Sequence, residues 1–594
     1  MAKTQVGSLP LFVPESTWTP PKAPPRLDNV TLLAVDCETR DPNLTVRGPG
    51  FLRRDAQNAG VALSTTTQSW YFPYAHPEDN CSWDVKAWLA DELSVDRTYV
   101  FCNCHYDIEA LNSDGIHPAG TWTDIQILQA LINEEFAPGY GLEAIAQYWL
   151  GQGKDMAELK NALAAYSYEE GQIGYLPGRF VGNYASTDAL RTIQAYVAQK
   201  PSIRADGLED VLDLEQNLLP LTWQMRLNGV RFDRNRAFEL REVWTGEIRR
   251  LTDSITKSAG ISVDPWSPKS LTTFCAREGI RVPRTAKGNP SFVGDFLETH
   301  SSPVLQTVAK IRKLDKMVGD FIDKWLYYSE TDGRIHPQWM LTHSEEGGTR
   351  SGRMASKNPS LQQVPVRDPY FGPYMRSLFL PNEGEVWIKL DINSQEIRIA
   401  VHYAYKCDCR GSDQIVAQYR ANPHLDFHQM VADMALVERT PAKTISLGVL
   451  YGMGIARMMA QLGFDSQHSG EVLNRYFLAA PYFKELAEIA METAAERGYV
   501  KTILGRRRRF TDSRFMHKAL NAIVQGSAGD EIKQAMWNIW NELQMVPLLT
   551  VHDELGFSGP AEVARQLADL IETAIEFVIP IIVDPVCLPN WNSE

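Results

Sequence analysis

The sequence of 594 residues has no uninterrupted run of 18 apolar residues, although 44% of its residues are hydrophobic. A helix that crosses a bilayer needs about 20 such residues, so we expect no transmembrane span and no membrane partner. The first residues lack a long apolar core, a cleavage site and an arginine-rich composition. They therefore predict neither a secretory signal nor a transit peptide, and we expect a cytoplasmic protein.

Cysteine is also scarce, with eight residues scattered along the chain. This usage is typical of reduced thiols in a cytosolic protein. Two close pairs, Cys102 with Cys104 and Cys407 with Cys409, have one intervening residue instead of the two that are common in zinc sites. We therefore expect no zinc site at these cysteines.

Positive charge is in deficit, because the formal net charge is −14. Alone, this argues against a nucleic-acid partner, since such proteins usually carry a basic surface. However, local basic patches are indicated by four consecutive arginines at 506–509. A second patch is indicated by Arg350 and Arg353, which lie close to each other in the sequence. Clustered metal-binding carboxylates would make the chain acidic overall without removing a basic groove for nucleic acid elsewhere.

Acidic residues follow apolar runs at several places in the first half. Leu32–Val35 predicts a buried strand that carries Asp36 and Glu38 at its end. Residues i and i+2 of a strand share a face, so the two carboxylates repel unless a cation lies between them. Mg²⁺ or Mn²⁺ would suit them, and a pair that faces water is the alternative.

Three further candidates lie in two later segments. Asp107 follows a short strand and opens a predicted helix, where it is also a plausible capping residue. Tyr184 and Asp188 are four residues apart, on one face of another predicted helix. With Asp36 and Glu38 these residues form the set for two-metal phosphodiester hydrolysis, in which the four acids bind metal and Tyr184 orients the attacking water.

In the second half, Arg439, Lys443, Leu447 and Tyr451 recur every four residues. On an α-helix they would form one stripe about 120° wide. Two cations suit a polyphosphate, and an apolar side chain and a phenol suit a base or a sugar. The alternative is an amphipathic helix with a solvated basic end.

A second acidic pair requires the fold to join distant segments. A predicted strand over 386–392 carries Asp391 near its end. Residues 547–557 predict a hairpin whose tip carries Asp553 and Glu554. From about residue 205 the sequence predicts a helical stretch. A polar loop at 349–365 lies between this stretch and the predicted strand, and it suits contacts to a DNA backbone and minor groove.

These motifs resemble two known families. Residues 35–39, Asn103 with Asp107, and Tyr184 with Asp188 are similar to the three motifs of DEDDy-type 3′–5′ exonucleases, in the same order. Asp391–Arg398, Arg439–Gly452 and Val551–Glu554 are similar to motifs A, B and C of the family A DNA polymerases. Ser351–Arg353 and Asn521 with Gln525 and Gly526 support the match, which covers residues 28–594.

The resemblance implies an α/β (α+β) fold with a ribonuclease H-like exonuclease domain followed by a right-hand polymerase. After a Pro-rich, partly disordered lead-in over residues 1–27, the exonuclease domain would span 28–205 and the polymerase domain 206–594. Within the latter, the thumb would cover about 235–330, the palm about 331–420 and 510–594, and the fingers about 421–509. We expect no 5′ nuclease domain.

The resemblance also implies residue roles in the polymerase. Two Mg²⁺ ions, or Mn²⁺, would be held by Asp391 and Asp553, with Glu554 nearby, and Lys443 would protonate pyrophosphate. The implied nucleotide-binding residues are Arg439, Lys443, Leu447, Tyr451, Glu396 and His428, of which Glu396 would exclude ribonucleotides. The implied DNA-binding residues are Arg353, Gln525, His552 and Arg398.

The expected activity is therefore template-directed DNA synthesis with 3′–5′ proofreading, as in a phage replicative enzyme acting in the host cytoplasm. Its partners would be primer–template DNA and deoxynucleoside triphosphates, and we expect a monomer that can meet unknown replisome proteins. One alternative is a single-subunit RNA polymerase, which Glu396 and the attached exonuclease oppose. Another is a non-catalytic DNA-binding scaffold, which the complete set of acids opposes. Leu447 departs from the family, where Phe or Tyr is usual.

Overall fold

The computed structural model describes residues 14–153, 156–365, 368–453, 455–463 and 465–592. The chain divides into two compact units. The first comprises Met1–Asn228, Gln338–Asn358 and Ile388–Cys587, and the second comprises Gly229–Pro337, Pro359–Trp387 and Leu588–Glu594. Within the described ranges, no helix is both long enough and apolar enough to cross a bilayer.

The predicted lead-in is only partly described, since residues 1–13 lie outside the described ranges. Residues 14–26 form neither helix nor strand. They pack on the region that follows: the Ser16 hydroxyl donates to the Arg179 carbonyl at 2.9 Å, and the Trp18 ring lies 6.1 Å from that of Tyr71. Contacts with Arg179 and Tyr71 therefore hold the second half of the lead-in in place.

A five-stranded sheet and the helices around it form the first part of the chain. The strands are β1 (Leu32–Arg40), β2 (Gln57–Ser64), β3 (Ser69–Pro73), β4 (Arg97–Phe101) and β5 (Gly120–Asp124). The helices are α1 (Leu44–Arg47), α2 (Val85–Leu93), α3 (Cys104–Ser113), α4 (Ile125–Ile132), α5 (Leu142–Leu150), α6 (Ala157–Tyr166) and α7 (Gly178–Asp206).

The strand order is β3-β2-β1-β4-β5, which places β1 at the centre of the sheet. β1 pairs with β2 in antiparallel and with β4 in parallel orientation. The predicted strand over Leu32–Val35 is confirmed, and it continues beyond Asp36 and Glu38 to Arg40. Helix α7 packs across β1, β2 and β3, so its residues face the central strand.

The middle of the chain is mainly helical, as predicted. Its elements are α8 (Glu209–Asn228), β6 (Val230–Phe232), α9 (Arg234–Ala259), α10 (Pro268–Arg277), α11 (Gly294–Thr299), α12 (Pro303–Lys316), α13 (Asp323–Tyr328), β7 (Arg334–Ile335), β8 (Gln338–Met340), β9 (Ala355–Lys357), α14 (Phe371–Arg376) and β10 (Phe379–Leu380). Helix α8 ends before Gly229, whose φ of 56° is the left-handed conformation that suits a helix end.

The last part of the chain returns to a sheet flanked by helices. Its strands are β11 (Val386–Ile392), β12 (Tyr499–Lys501), β13 (Arg507–Arg509), β14 (Leu549–Val551), β15 (Glu554–Gly559) and β16 (Val583–Leu588). Its helices are α15 (Gln395–Lys406), α16 (Ser412–Ala421), α17 (Phe427–Ala435), α18 (Arg439–Leu450), α19 (Ile455–Leu462), α20 (Ser466–Ala479), α21 (Pro481–Arg497), α22 (Ala519–Leu543) and α23 (Ala564–Glu572).

The four-stranded sheet in this part has the order β14-β15-β11-β16. β14 and β15 are antiparallel, and Val551 faces Glu554 across the turn. His552 in that turn has a φ of 58°, in the left-handed region. The predicted hairpin is thus confirmed, and its partner is the predicted strand that carries Asp391.

Helix α18 confirms the predicted stripe except at its end. Tyr451 follows the last helical residue and caps the helix, with its amide donating to the Leu447 carbonyl at 2.9 Å. Its φ of −86° and ψ of 6° depart from helical values. The prediction that all four stripe residues lie within the helix is therefore wrong at Tyr451.

The arginine tract forms ion pairs inside the protein instead of an open basic patch. Arg506 is buried, and its guanidinium donates to Glu215 and, at 3.0 Å, to Asp530. The Lys533 ammonium lies 2.6 Å from the same Glu215 oxygen, and both side chains are fully buried. Arg507 pairs with Asp206, and Arg508 and Arg509 pair with Glu134.

We expect Glu215→Gln to destabilise the protein strongly. The change removes the carboxylate that Arg506 and Lys533 share and leaves buried positive charge, at a cost of about 3–5 kcal/mol. Urea unfolding followed by tryptophan fluorescence measures the effect. The control variant Asp569→Asn removes an exposed partner of Arg565. We expect it to lower the free energy of unfolding by about 0–1 kcal/mol. Equal losses in the two variants would contradict a buried charge network.

Candidate active sites

The first candidate site lies where β1, α3 and α7 meet. Asp36 and Glu38 project from one face of β1, and the pairing with β2 shifts register immediately after Glu38. Such bulges redirect side chains and are common beside functional sites. Glu38 is 8% exposed, so its carboxylate is largely removed from water.

Asp107 reaches this pair from α3. Its carboxylate accepts a hydrogen bond of 3.0 Å from the backbone amide of Cys37, the residue between Asp36 and Glu38. The predicted helix is present, but the alternative role of Asp107 as its capping residue is wrong. The cap position belongs to Asn103, with a φ of 72°, and Asp107 lies in the first turn with its side chain turned toward β1.

Helix α7 supplies the remaining two candidates. Tyr184 and Asp188 lie one turn apart on α7, which packs against β1, and Asp188 is 2% exposed. Tyr184 packs beside an apolar cluster that includes Tyr71 and Phe180. The structure thus brings Asp107 next to the segment of Asp36 and Glu38, and it packs the helix that carries Tyr184 and Asp188 against the same strand.

Acidic side chains of this cluster repel one another. Burial raises the pKa of Asp107 well above its usual value, and the charges of Asp36 and Glu38 raise it further. Carboxylate oxygens are the ligands that hard divalent cations prefer, so the donor set fits Mg²⁺ or Mn²⁺. Among the described residues, no three His, Cys, Asp or Glu side chains already stand in a metal-binding arrangement. Close carboxylates relieve their repulsion either by taking up a proton or by binding a cation.

Sequence reasoning missed one supporting acid, Asp124 at the end of β5. Its carboxylate accepts hydrogen bonds from the amides of Cys104 at 2.7 Å and Gln126 at 2.8 Å. It therefore anchors the start of the helix that carries Asp107. The sequence does place this acid after Trp122 and Thr123, at the end of a buried strand. A single acid at the end of a strand occurs in many structural contexts, so this position alone does not indicate a supporting role.

The second candidate site lies on the four-stranded sheet. The amide of Ile392 donates to the Asp553 carbonyl at 3.1 Å, so the backbone positions of Asp391 and Asp553 are adjacent across β11 and the hairpin tip. Burial raises the pKa of Asp553, and Arg353 opposes this rise. Glu554, the third predicted ligand, is buried and lies 3.5 Å from the Lys389 ammonium.

Glu396 is held from two sides next to this pair. One of its oxygens accepts from Tyr451 Oη at 2.6 Å, and the other accepts from Arg353 Nη2 at 2.7 Å. Burial raises the pKa of Tyr451, and the Glu396 charge raises it further, so the phenol remains a donor at neutral pH. Gln525 also hydrogen-bonds to Tyr451. Glu396 and Tyr451, both implied nucleotide-binding residues, are therefore paired with each other.

The cations of α18 lie near Asp426 and His428. Arg439 Nε donates to Asp426 at 2.7 Å, and both side chains are about half exposed. His428 is 4% exposed, and burial, followed by the charge of Lys443, lowers its pKa to about 4. His428 is thus neutral at pH 7 and close to Lys443. Lys443 itself is exposed, and Leu447 is half-buried.

Arg398 does not fit its expected role in DNA binding. It is fully buried, and its guanidinium donates to the carbonyls of Asn393, Pro423 and Pro580 at 2.6–2.8 Å while it stacks on Tyr419 at 4.8 Å. With its donors used inside the fold, Arg398 supports the backbone around β11 and α15. By contrast, His552 is exposed at the hairpin tip.

Comparisons with known proteins agree with these motifs. The family described as DNA polymerase family A matches residues 234–593. A DNA-directed DNA polymerase of Pseudomonas phage M6 is 31% identical, over 98% of each chain. The DNA polymerase DpoZ of Acinetobacter phage SH-Ab 15497 is 29% identical, over 96% of this chain and 98% of that protein.

Two cellular proteins are similar over nearly the whole chain. The DNA polymerase I of Chloroflexus aurantiacus is 26% identical, over 96% of this chain and 62% of that protein. The solved POL domain of Pol1 from M. smegmatis, in complex with DNA primer–template and dNTP, superposes with a TM-score of 0.76. It is 21% identical and covers 94% of this chain and 95% of that chain. The mixed α/β fold is thereby confirmed.

We expect Asp107→Asn to stabilise the metal-free protein and to reduce its response to metal. The raised pKa means that ionised Asp107 costs stability as the pH rises through that pKa, whereas asparagine still accepts from Cys37. Melting temperatures in EDTA and in excess Mg²⁺ at pH 8 measure both effects, since a ligand at 100 times its Kd adds about 2.7 kcal/mol.

The control for this experiment is Asp114→Asn, which removes a paired carboxylate outside the cluster. Its gain in melting temperature on addition of Mg²⁺ should equal that of the unmodified protein. An equal gain in the Asp107→Asn variant would contradict a role of Asp107 in holding a cation.

Proposed function

Since the chain belongs to DNA polymerase family A and is a DNA-directed DNA polymerase, we propose that its two carboxylate clusters are a synthetic site and a 3′–5′ exonuclease site. The observation that carries the synthetic site is the backbone bond between Ile392 and Asp553, which joins motifs A and C. The observation that carries the exonuclease site is the convergence of Asp36, Glu38 and Asp107.

Asp391 and Asp553 would hold two divalent cations, for which Mg²⁺ is the proposed ion, with Glu554 close by. When bound, such ions lower the pKa of a primer 3′-hydroxyl and offset the charge of the triphosphate and the departing pyrophosphate. The hairpin supports this role, because it fixes Asp553 beside the strand end at which Asp391 stands. His552, exposed at the same tip, would contact the primer terminus.

Helix α18 and its neighbours would bind the triphosphate. Arg439 and Lys443 offer positive charge, and the exposed ion pair of Arg439 with Asp426 is weak enough to exchange for phosphate. His428 is neutral and would act as a hydrogen-bond donor, not as a cation. Lys443, exposed and mobile on its four-carbon stem, would donate the proton that the departing pyrophosphate takes up.

Glu396 would select deoxyribose over ribose. Because Tyr451 and Arg353 engage both of its oxygens, the carboxylate cannot turn away from a 2′-hydroxyl. Tyr451 would also lie near the templating base. Arg353 and Gln525, which join the same network, would reach minor-groove acceptors that all four correct base pairs share.

The exonuclease would occupy residues 28–205, where Asp36, Glu38, Asp107 and Asp188 hold divalent ions and Tyr184 orients the attacking water. The polymerase would span 206–594, with the thumb at about 235–330, the palm at about 331–420 and 510–594, and the fingers at about 421–509. The full-length likeness to phage polymerases supports a replicative enzyme of a phage, monomeric and active in the host cytoplasm on primer–template DNA and dNTPs.

We expect the two sites to be separable by substitution. Asp391→Ala or Asp553→Ala should abolish primer extension and leave removal of a mismatched 3′ end intact. Asp36→Ala combined with Glu38→Ala should do the reverse, because the acids of each cluster lie on different sheets. Gel assays on matched and mismatched primers measure both reactions. Synthesis that persists without Asp391 would refute the synthetic site, and robust use of ribonucleotides would favour an RNA polymerase.

Leu447 generates a prediction about nucleotide affinity. Leucine lacks the flat face with which an aromatic ring stacks on a sugar or base, so Leu447→Phe should lower the KM for dNTPs and change discrimination against dideoxynucleotides. Single-nucleotide incorporation kinetics measure the effect. Leu478→Phe adds the same ring at an 83% exposed position and serves as the control. Constants identical to those of the unmodified enzyme would refute a stacking role at 447.

A further inference from the structure

We propose that Lys357 binds a phosphate of the DNA strand that enters the exonuclease site, so that the polymerase part of the chain completes that site. This inference rests on the proposed exonuclease function. It concerns a residue well outside residues 28–205, and it follows from the walls and the charge of the cleft in front of Glu38.

The cleft has a volume of about 390 Å³ and two walls of different origin. One wall comes from β1, the following loop and residues 170–173. The other comes from the segment 338–358, which contains β8 and β9 and belongs to the same compact unit. Asn358 Nδ2 donates to Gln338 Oε1 at 2.6 Å, and both atoms lie 2.8 Å from the position of a Cβ on Gly48. The two walls are therefore in direct contact.

The charge of the cleft is strongly negative, which is a problem for a DNA-binding site. Five carboxylates line it, from Glu38, Asp41, Glu170, Glu345 and Glu346. Lys357 is the one Lys, Arg or His among the described residues of the lining. Cations held by the acidic cluster offset charge at the reacting phosphate, but the next phosphate of the strand needs its own partner. Lys357 is the side chain in position to supply it.

Lys357 is held at this cleft by an ion pair with one of the acids that line it. Its ammonium lies 2.9 Å from Glu346, and both side chains are partly exposed, at 29% and 23%. The other oxygen of Glu346 accepts from Asn103 Nδ2 at 3.1 Å, and Asn103 caps the helix that carries Asp107. Lys357 also donates to the Glu346 carbonyl at 3.3 Å. The pair borders the cleft, so an incoming phosphate can compete with the Glu346 carboxylate for Lys357.

The test uses the full-length protein and hydrolysis of a labelled single-stranded oligonucleotide at several NaCl concentrations. We expect Lys357→Ala to raise the KM about fivefold, as the loss of one exposed charge contact implies. The dependence of log KM on log salt should fall by about 0.7, the value for one phosphate of a single strand. Lys357→Arg should restore both values. Lys86→Ala removes a paired lysine outside the cleft and should change neither.

A second variant separates phosphate binding from a structural role of the ion pair. Glu346→Gln breaks the same pair but keeps an oxygen that accepts from Asn103. If Lys357 binds phosphate, this variant should lower the KM, because the competing charge is gone, whereas a structural role predicts that both variants weaken binding. The proposal would be overturned if both variants changed the KM in the same direction. It would also be overturned if Lys357→Ala left the KM and its salt dependence unchanged.

Hydrolysis by the unmodified protein and by the Asp36→Ala, Glu38→Ala variant tests the exonuclease function separately. If the unmodified protein does not hydrolyse single strands, or if hydrolysis survives Asp36→Ala with Glu38→Ala, the exonuclease function fails and the Lys357 proposal fails with it. If hydrolysis requires those acids but its KM is independent of Lys357, the exonuclease stands and only the role of Lys357 is overturned.

Discussion

Repulsion between closely placed carboxylates is the constraint on which the first candidate site depends. Burial and the charges of Asp36 and Glu38 raise the pKa of Asp107, so the fold must supply energy to keep these groups together. It does so through a central strand, a backbone hydrogen bond from Cys37 to Asp107 and the packing of α7 on β1. Divalent cations would offset this cost, which explains why the cluster has the composition of a metal site.

Two further acids near the second site are held by neighbouring side chains. Glu396 accepts hydrogen bonds from Arg353 and Tyr451, and Glu554 lies near Lys389. Such partners fix the position of a carboxylate. Arg398 is also held inside the fold, because its buried guanidinium donates to backbone carbonyls and is not available to DNA.

Much of the local structure could be predicted from the sequence, because it depends on neighbours in the chain. The strand before Asp36, the hairpin around Asp553 and the helix from Arg439 follow from periodicity and turn residues. What could not be predicted depends on contacts between distant segments. The arginine tract resembles an open basic patch in sequence, yet Glu134, Asp206 and Glu215 pair with it from more than 290 positions away. Likewise, nothing local indicates that Arg398 is buried.

The segment 338–358 contacts both candidate sites within one compact unit: Arg353 reaches Glu396, and Lys357 lies at the cleft in front of Glu38. Whether the two acidic clusters hold cations is tested most directly by anomalous diffraction from crystals of the protein soaked in Mn²⁺. We predict anomalous peaks at two places, one in contact with Asp36, Glu38 and Asp107, and one in contact with Asp391 and Asp553. Peaks at neither place, or at one alone when Mn²⁺ is in excess, would contradict two metal-dependent sites.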